Sequence, residues 1–260
     1  MICRTLAPSH LRTARGLSLV EATIILMVLS TLTAVVAPSA ATYIDSARQT
    51  KAKADVEAIG SAIDQLLRDT GSSCISKTPA AVMNPAASAP CAKANRVELL
   101  VSGSALNTNE PTVLTAMSFA ASTGIASAAT LNWAGGSSEV GDSNKNLMDA
   151  HVVTNGAGYT APTFQAGGGP RTGVGWRGAY LSGPIDLDPW GYVYQSNVVF
   201  LAVAHDATNA TGTGELRGGW SSDVIVLSPG ANGVIQTTFG GTGSTAVGDD
   251  ITYVVQGATQ

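Results

Sequence analysis

The sequence predicts an α+β fold: one long N-terminal α-helix, transmembrane in its first half and amphipathic in its second, packed on a C-terminal antiparallel β-sheet. Three observations predict it. Residues 17–37 form a near-continuous apolar run, LSLVEATIILMVLSTLTAVVA, about the twenty residues a helix needs to cross a bilayer. Residues 40–69 continue with apolar side chains mostly at three-, four- or seven-residue steps and charges between them, the period of a helix with one buried face. After Trp176, short β-branched and aromatic runs alternate with turn residues, as the strands of an antiparallel sheet do.

The apolar run carries one charged side chain, Glu21. A carboxylate in hydrocarbon costs roughly 3 kcal/mol or more, so an intramembrane acid marks a functional position. Arg4, Arg12 and Arg15 precede the run without any acid among the first 16 residues, which places the N-terminus in the cytoplasm. Ala37, Ser39 and Ala40 would suit a secretory signal-peptidase cut, but the run is long for a signal core and an early acid does not help one. Pro38 removes a helix donor and crowds the preceding turn, so a kink or local unwinding is expected there. Thr31 and Thr33 add hydroxyls nearby. Beyond Pro38, Ile44, Ala47, Ala54, Ile59, Ile63 and Leu66/Leu67 make the apolar stripe. Asp45, Arg48, Lys51, Lys53, Asp55, Glu57, Asp64 and Arg68 fill the other faces. Gly71 is the C-terminal stop.

Only 12% of the 260 residues are charged, and small residues dominate the middle. That profile suits a surface or exported protein better than a cytosolic enzyme. The net charge is −4, and setting aside the three leading arginines leaves about −7. No basic stripe stands out, so nucleic acid is not an expected partner. Of three cysteines, Cys3 lies ahead of the apolar run. Cys74 and Cys91 follow it, on the extracytoplasmic side, where a disulfide is chemically allowed. Ser72, Ser73, Pro79, Pro85 and Pro90 around them read as a loop that needs a staple. That favours a Cys74–Cys91 disulfide, worth roughly 3 kcal/mol, over two buried thiols.

Between Ser72 and Gly175 no long periodicity appears. A short helix around Asn95–Leu100 is expected. Asn155-Gly156 is expected to turn a hairpin between His151–Thr154 and Tyr159–Thr163. Gly167-Gly168-Gly169-Pro170 signals a turn and lacks the strand-turn-helix setting of a phosphate-binding loop. Further on, Tyr192–Gln195, Val198–Ala204, Asp223–Leu227, Val234–Thr237 and Ile251–Val255 read as the strands, with the amphipathic half of the helix covering their apolar face.

The N-terminal motif Gly16-Leu17-Ser18-Leu19-Val20-Glu21 resembles the recognition site of type IV prepilins and type II secretion pseudopilins, and the expected architecture is then the pilin-like fold. In that family a membrane peptidase/methyltransferase cuts after the glycine and methylates the new amine. The resemblance implies that residues 1–16 are a leader, Gly16 its last residue, and Leu17 the first mature and methylated one. Residues 17–37 are then the transmembrane, filament-core segment and 38–71 the amphipathic stem. Glu21 matches the family's glutamate, and Pro38, 21 residues after Leu17, its helix-bending proline. Leu17 stands where phenylalanine or methionine is commoner, and Ser30 where many members have glycine. An isolated buried carboxylate must protonate or find a cation, and the amine freed at Leu17 of a staggered neighbour would supply one in the filament core. Glu21 is thereby expected to guide assembly.

A second resemblance lies in residues 176–260. Trp176, Gly178, Tyr180 and Leu181, then Asp188-Pro189-Trp190-Gly191 and Tyr194, look like the major pseudopilin of type II secretion. The segment Asp223–Ser228 with Gly230, Asn232 and Gly233, followed by Asp249-Asp250-Ile251, is similar to that family's C-terminal calcium loop. It implies a Ca²⁺ ion held by Asp249 and Asp250 with carbonyls of Leu227 or Ser228, the alternative being that Asp249 caps a turn. Ala231 replaces an acid there, and the Gly/Thr-rich stretch Phe239–Gly248 is enlarged. The Asp188–Gly191 turn is expected to be structural, with Trp190 in the core. Residues 72–175 form an insertion much longer than the major pseudopilin has, suited to decorating the filament or engaging a partner.

The implied function is a structural subunit of a periplasmic secretion pseudopilus that helps export folded proteins. The competing reading within the filament class is a type IV pilin for adhesion, motility or DNA uptake. Implied partners are further copies of itself, the prepilin peptidase, an inner-membrane platform, an assembly ATPase and minor pseudopilins. The implied location is the bacterial inner membrane, single-pass with the globular domain periplasmic, and then a filament. An enzyme is not expected. His10 is in the leader, and neither His151 nor the pair His205-Asp206 comes with a serine elbow or metal-ligand spacing.

Overall fold

The computed structural model describes residues 18–72, 74–77, 79, 97–102, 118–119, 133, 146–162, 173–202, 222–240 and 245–256. Gly16, Leu17, Cys91 and His205 lie outside them, as do residues 95–96, 163 and 167–170. The chain divides into two compact units, Met1–Ala47 and Arg48–Gln260.

One helix, α1, runs Leu19–Thr70. It continues through Pro38 as helix in this single chain; the unwinding expected there belongs to subunits packed in a filament. Every hydroxyl in this stretch that could compete with the helix instead donates within it: Thr31 to the Val28 carbonyl, Thr33 to Leu29 and Ser39 to Val36, at 2.8–2.9 Å. Residues 19–47 are exposed apart from the half-buried Ala22.

From Arg48 on, α1 belongs to the globular unit. Its buried positions are Ala52, Val56, Ile59, Gly60, Ala62, Ile63, Leu66 and Thr70. This is the helical period that the sequence predicts, with a shifted start. Ala47 and Ala54 face outward and Ile44 is exposed, while Ala52 and Val56 take the inward places. A 100° step per residue puts Ala52, Val56, Ile59 and Ile63 on one line, and Ala54 falls off it. Gly71, at φ +58°, ends the helix, a left-handed conformation glycine adopts without a Cβ penalty.

The sheet has four antiparallel strands in the order β1 (Leu100–Val101), β3 (Gln195–Ser196), β4 (Val224–Ser228), β6 (Ile251–Gln256). β4 is fully buried and pairs along its length with β6, Val226 opposite Tyr253 and Ser228 opposite Ile251. A Cβ on Gly60 would run into the Tyr253 ring, so α1 approaches the sheet closest where its side chain is absent. Tyr194 reaches from beside β3 to donate its hydroxyl to Asp55 of α1 at 2.8 Å.

Four local expectations give way to tertiary context. Leu100 lies in strand β1, not in a helix. Residues Met148–Val152 form a short helix, α2, buried on every side, so the Asn155-Gly156 turn closes no ladder. Asn155 adopts φ 56°, and its side chain accepts from Tyr159 N–H at 2.8 Å and donates to the Tyr159 carbonyl at 2.9 Å. Val198–Ala202 is a 3-10 turn rather than a strand, because Asn197 cuts the ladder. Its carboxamide takes the Ile225 N–H and donates to the carbonyls of Asp223 and Phe239. Finally, β5 (Val234–Ile235) leaves the antiparallel sheet and pairs in parallel with β2 (Ser118–Phe119).

Candidate functional site

Two regions carry the residues singled out above. The first is the N-terminal stretch of α1. Glu21 sits exposed in the first turn of the helix, where the unpaired N–H groups favour an acid. Leu19, Val20, Ile24, Ile25, Leu26 and Met27 around it are 45–80% exposed. From Ser18 to Ile44 no other Asp, Glu, Lys or Arg occurs. The helix is long and apolar enough to cross a membrane, and its most apolar window is 0% buried.

The second region is the connection from β4 to β6. It starts at Ser228, whose hydroxyl donates to Asp188 Oδ2 at 2.7 Å and accepts from Gly230 N–H. The other oxygen of Asp188 accepts from Trp190 N–H at 3.0 Å and Tyr192 N–H at 2.8 Å. Asp188 thus organises the Asp188–Gly191 turn, with Gly191 at φ 94°, and staples it to the end of β4. Trp190 packs half-buried on the core. Burial pushes the Asp188 carboxyl above its ordinary value, against the pull of these hydrogen bonds.

The strand β6 is entered through Asp249 and Asp250. Asp249 Oδ2 accepts from Asn232 N–H at 2.9 Å. Asp250 Oδ2 accepts from Gln236 N–H at 2.8 Å and Thr237 N–H at 2.6 Å. A Cβ on Gly230 would strike the Asp249 carbonyl oxygen, so the 228–233 turn lies directly on the aspartate pair. Asp250 is 5% exposed. Burial, and then the neighbouring Asp249 charge, push its carboxyl upward, while its hydrogen bonds oppose that shift. Asp249 Oδ1, Asp250 Oδ1 and Gln236 Oε1 are all buried without a hydrogen-bond partner.

Among the four oxygen donors expected for a cation, the aspartates therefore hold spare buried oxygens. Leu227 lies inside the sheet between Gln195 and Thr252, and the Ser228 hydroxyl is committed to Asp188. Spare, buried carboxylate oxygens with hard-oxygen chemistry fit a calcium-like ion. Among the described residues no group of three or more His, Cys, Asp or Glu side chains gathers to hold a metal, so the acids supply only part of such a shell. Gln236 was not legible in sequence as part of this site. It ends an apolar strand-like run, and only the fold of the connection carries it to the aspartates.

Several further polar groups bond within the domain. His151 is fully buried in α2, its Nδ1 2.7 Å from the Tyr159 hydroxyl. Trp176 donates to the His151 carbonyl at 3.2 Å and stacks edge-on against Tyr180. Asp149 Oδ1 accepts from Ile185 N–H. A cleft of about 260 Å³ between α1 and residues 181–187 is lined by Lys51, Asp55 and Tyr194, and Asp55 already bonds both of the others. Cys74 is disulfide-bonded, and both other cysteines of the chain lie outside the described residues.

No protein-family model, curated protein or solved structure matches this chain. The fold and its surfaces define a class: an α+β domain carried on a helix whose exposed first half has the length and apolarity of a membrane span.

Proposed function

We propose that this chain is a structural, non-catalytic subunit of a filament of the type II secretion pseudopilus kind. It is inserted in the bacterial inner membrane, trimmed after Gly16, methylated at Leu17 and polymerised through α1. The observation that carries the reading is the first half of α1. Its apolar side chains are bare all round, and a single carboxylate, Glu21, stands among them.

Such a helix has two low-energy environments, a bilayer and a bundle of like helices. Glu21 is expensive in the first and stabilised in the second if the Leu17 amine of a neighbouring copy meets it, which favours entry in register. The peptidase, the inner-membrane platform, the assembly ATPase and minor pseudopilins are the partners this route requires. Asp249 and Asp250, with a Ser228 carbonyl, would hold Ca²⁺ and tie down the β4–β6 connection. The ion would supply a positive charge to the adjacent carboxylates of Asp249, half-buried, and Asp250, buried.

N-terminal sequencing of the mature protein tests the proposal. A start at Leu17 supports it, and a start near Ser39 or Ala41 overturns it.

A further inference from the structure

We propose that the side-chain carbonyl of Gln236 is a third side-chain ligand of the cation held by Asp249 and Asp250, replacing the carboxylate that the 228–233 turn lacks. This rests on the reading of the β4–β6 connection as a calcium site. The 228–233 segment, Ser-Pro-Gly-Ala-Asn-Gly, contains no acid, so a shell built from that turn and Asp249-Asp250 alone has only two carboxylates. Calcium takes six to eight oxygens, and the connection must find neutral ones.

Three facts bring Gln236 to the site. Its backbone N–H donates to Asp250 Oδ2 at 2.8 Å, which fixes the residue beside that carboxylate. Its carboxamide oxygen lies where a Cβ on Gly248 would stand. Gly248, at φ +69°, leaves that space open next to Asp249. And Gln236 Oε1 is buried without a partner, as are Asp249 Oδ1 and Asp250 Oδ1. The other carboxylate oxygens are already held by the N–H groups of Asn232, Gln236 and Thr237, so the spare oxygens cannot rotate away to find donors at no cost. Three unsatisfied buried acceptors in one connection, two of them on carboxylates, lack a positive partner. A divalent ion balances both carboxylate charges and accepts the amide oxygen as a hard ligand. With so few carboxylates the site belongs to the weak class, at Kd of roughly 10⁻⁴–10⁻³ M.

The rival arrangement turns the carboxamide over, so that its N–H₂ donates to the aspartates and no cation is involved, since oxygen and nitrogen positions follow from the bonding network. Substitution separates the two. The full-length protein in detergent, stripped with EDTA, would be titrated with CaCl₂ by calorimetry and its thermal unfolding followed with and without the ion. Wild type is expected to bind and to unfold at higher temperature with calcium. Gln236→Glu is expected to bind about tenfold tighter and Gln236→Met about tenfold weaker, because ligand charge sets affinity in such loops. The Gln236→Met unfolding curve in EDTA serves as the check that this variant folds. If wild type shows no calcium response, the cation reading itself fails. If wild type responds but both variants bind as it does, only the Gln236 assignment is overturned. A Gln236→Glu protein that is destabilised in EDTA and not restored by calcium would establish the N–H₂ arrangement instead.

Discussion

The two halves of α1 share a backbone and differ in almost everything else. Between Leu19 and Ala47 the helix shows apolar side chains on every face, and its hydroxyls are turned back onto its own carbonyls. Thr23, Ser30 and Thr42 do so at 2.8–2.9 Å, like Thr31, Thr33 and Ser39. Between Arg48 and Thr70 one face is buried and the other is laced by the pairs Lys51–Asp55 and Arg68–Asp64, both at 2.8 Å. A side chain of Leu or Ile size contributes about 1.5–3 kcal/mol when it is removed from water. The second half collects this from its own domain. Among the described residues the first half collects none of it, so its helix is matched to surroundings that those residues do not provide. Helical periodicity alone does not distinguish these situations; charge spacing does.

The comparison can be broken most severely at Glu21. Glu21→Ala is expected to abolish or strongly reduce sedimentable filaments in cells while leaving the unfolding temperature of the purified protein unchanged. Normal filament yield would remove the assigned role. Next come the buried positions. Leu66→Ala in the packed half should cost about 2–5 kcal/mol in denaturant unfolding, whereas Leu29→Ala in the bare half should stay within about 0.5 kcal/mol. Equal losses would mean that both halves are packed alike. Reducing the Cys74 disulfide is expected to cost about 3 kcal/mol, and a non-reduced digest should yield a cross-linked Cys74–Cys91 peptide. Gly60→Leu would wedge a side chain between α1 and the Tyr253 ring, at about 1–3 kcal/mol.

The smallest effect concerns pH. Asp188 and Asp250 are held above their ordinary carboxyl value of 3.8 in the folded domain, chiefly by burial. The folded state therefore keeps these protons after the unfolded chain has released its own. Their contribution to stability is largest on the acid side and falls as pH rises above 3.8. Unfolding in EDTA should show that fall, and Asp250→Asn should flatten it.

Much of this architecture was legible in the residues. The span is written in the run 17–37, the helix stop in Gly71, strands β4 and β6 in the runs Asp223–Leu227 and Ile251–Val255, and the turn in Asp188–Gly191. These features depend on neighbours a few positions away, which a sequence displays directly. The run Val198–Ala204 reads as a strand because an apolar run buried from Val198 to Leu201 has no exposed face to reveal its period. The Asn155-Gly156 turn was misread because its flanks pack in the core instead of pairing. In the β4–β6 connection, resemblance singles out Asp249 and Asp250, whereas the approach of Gln236 to Asp250 follows only from the fold.

By itself, then, the sequence determined that a helix of membrane-spanning apolarity with one early acid continues into an amphipathic stem, since both properties follow from side-chain type and spacing along one regular element. Tertiary structure alone decided which stem residues face the sheet and where Asn197 stops a strand. It also decided that Gln236 lies against Gly248 beside two aspartates. Those contacts join residues far apart in the chain, and their positions depend on how loops close and strands register, a choice made by the packing of the whole domain.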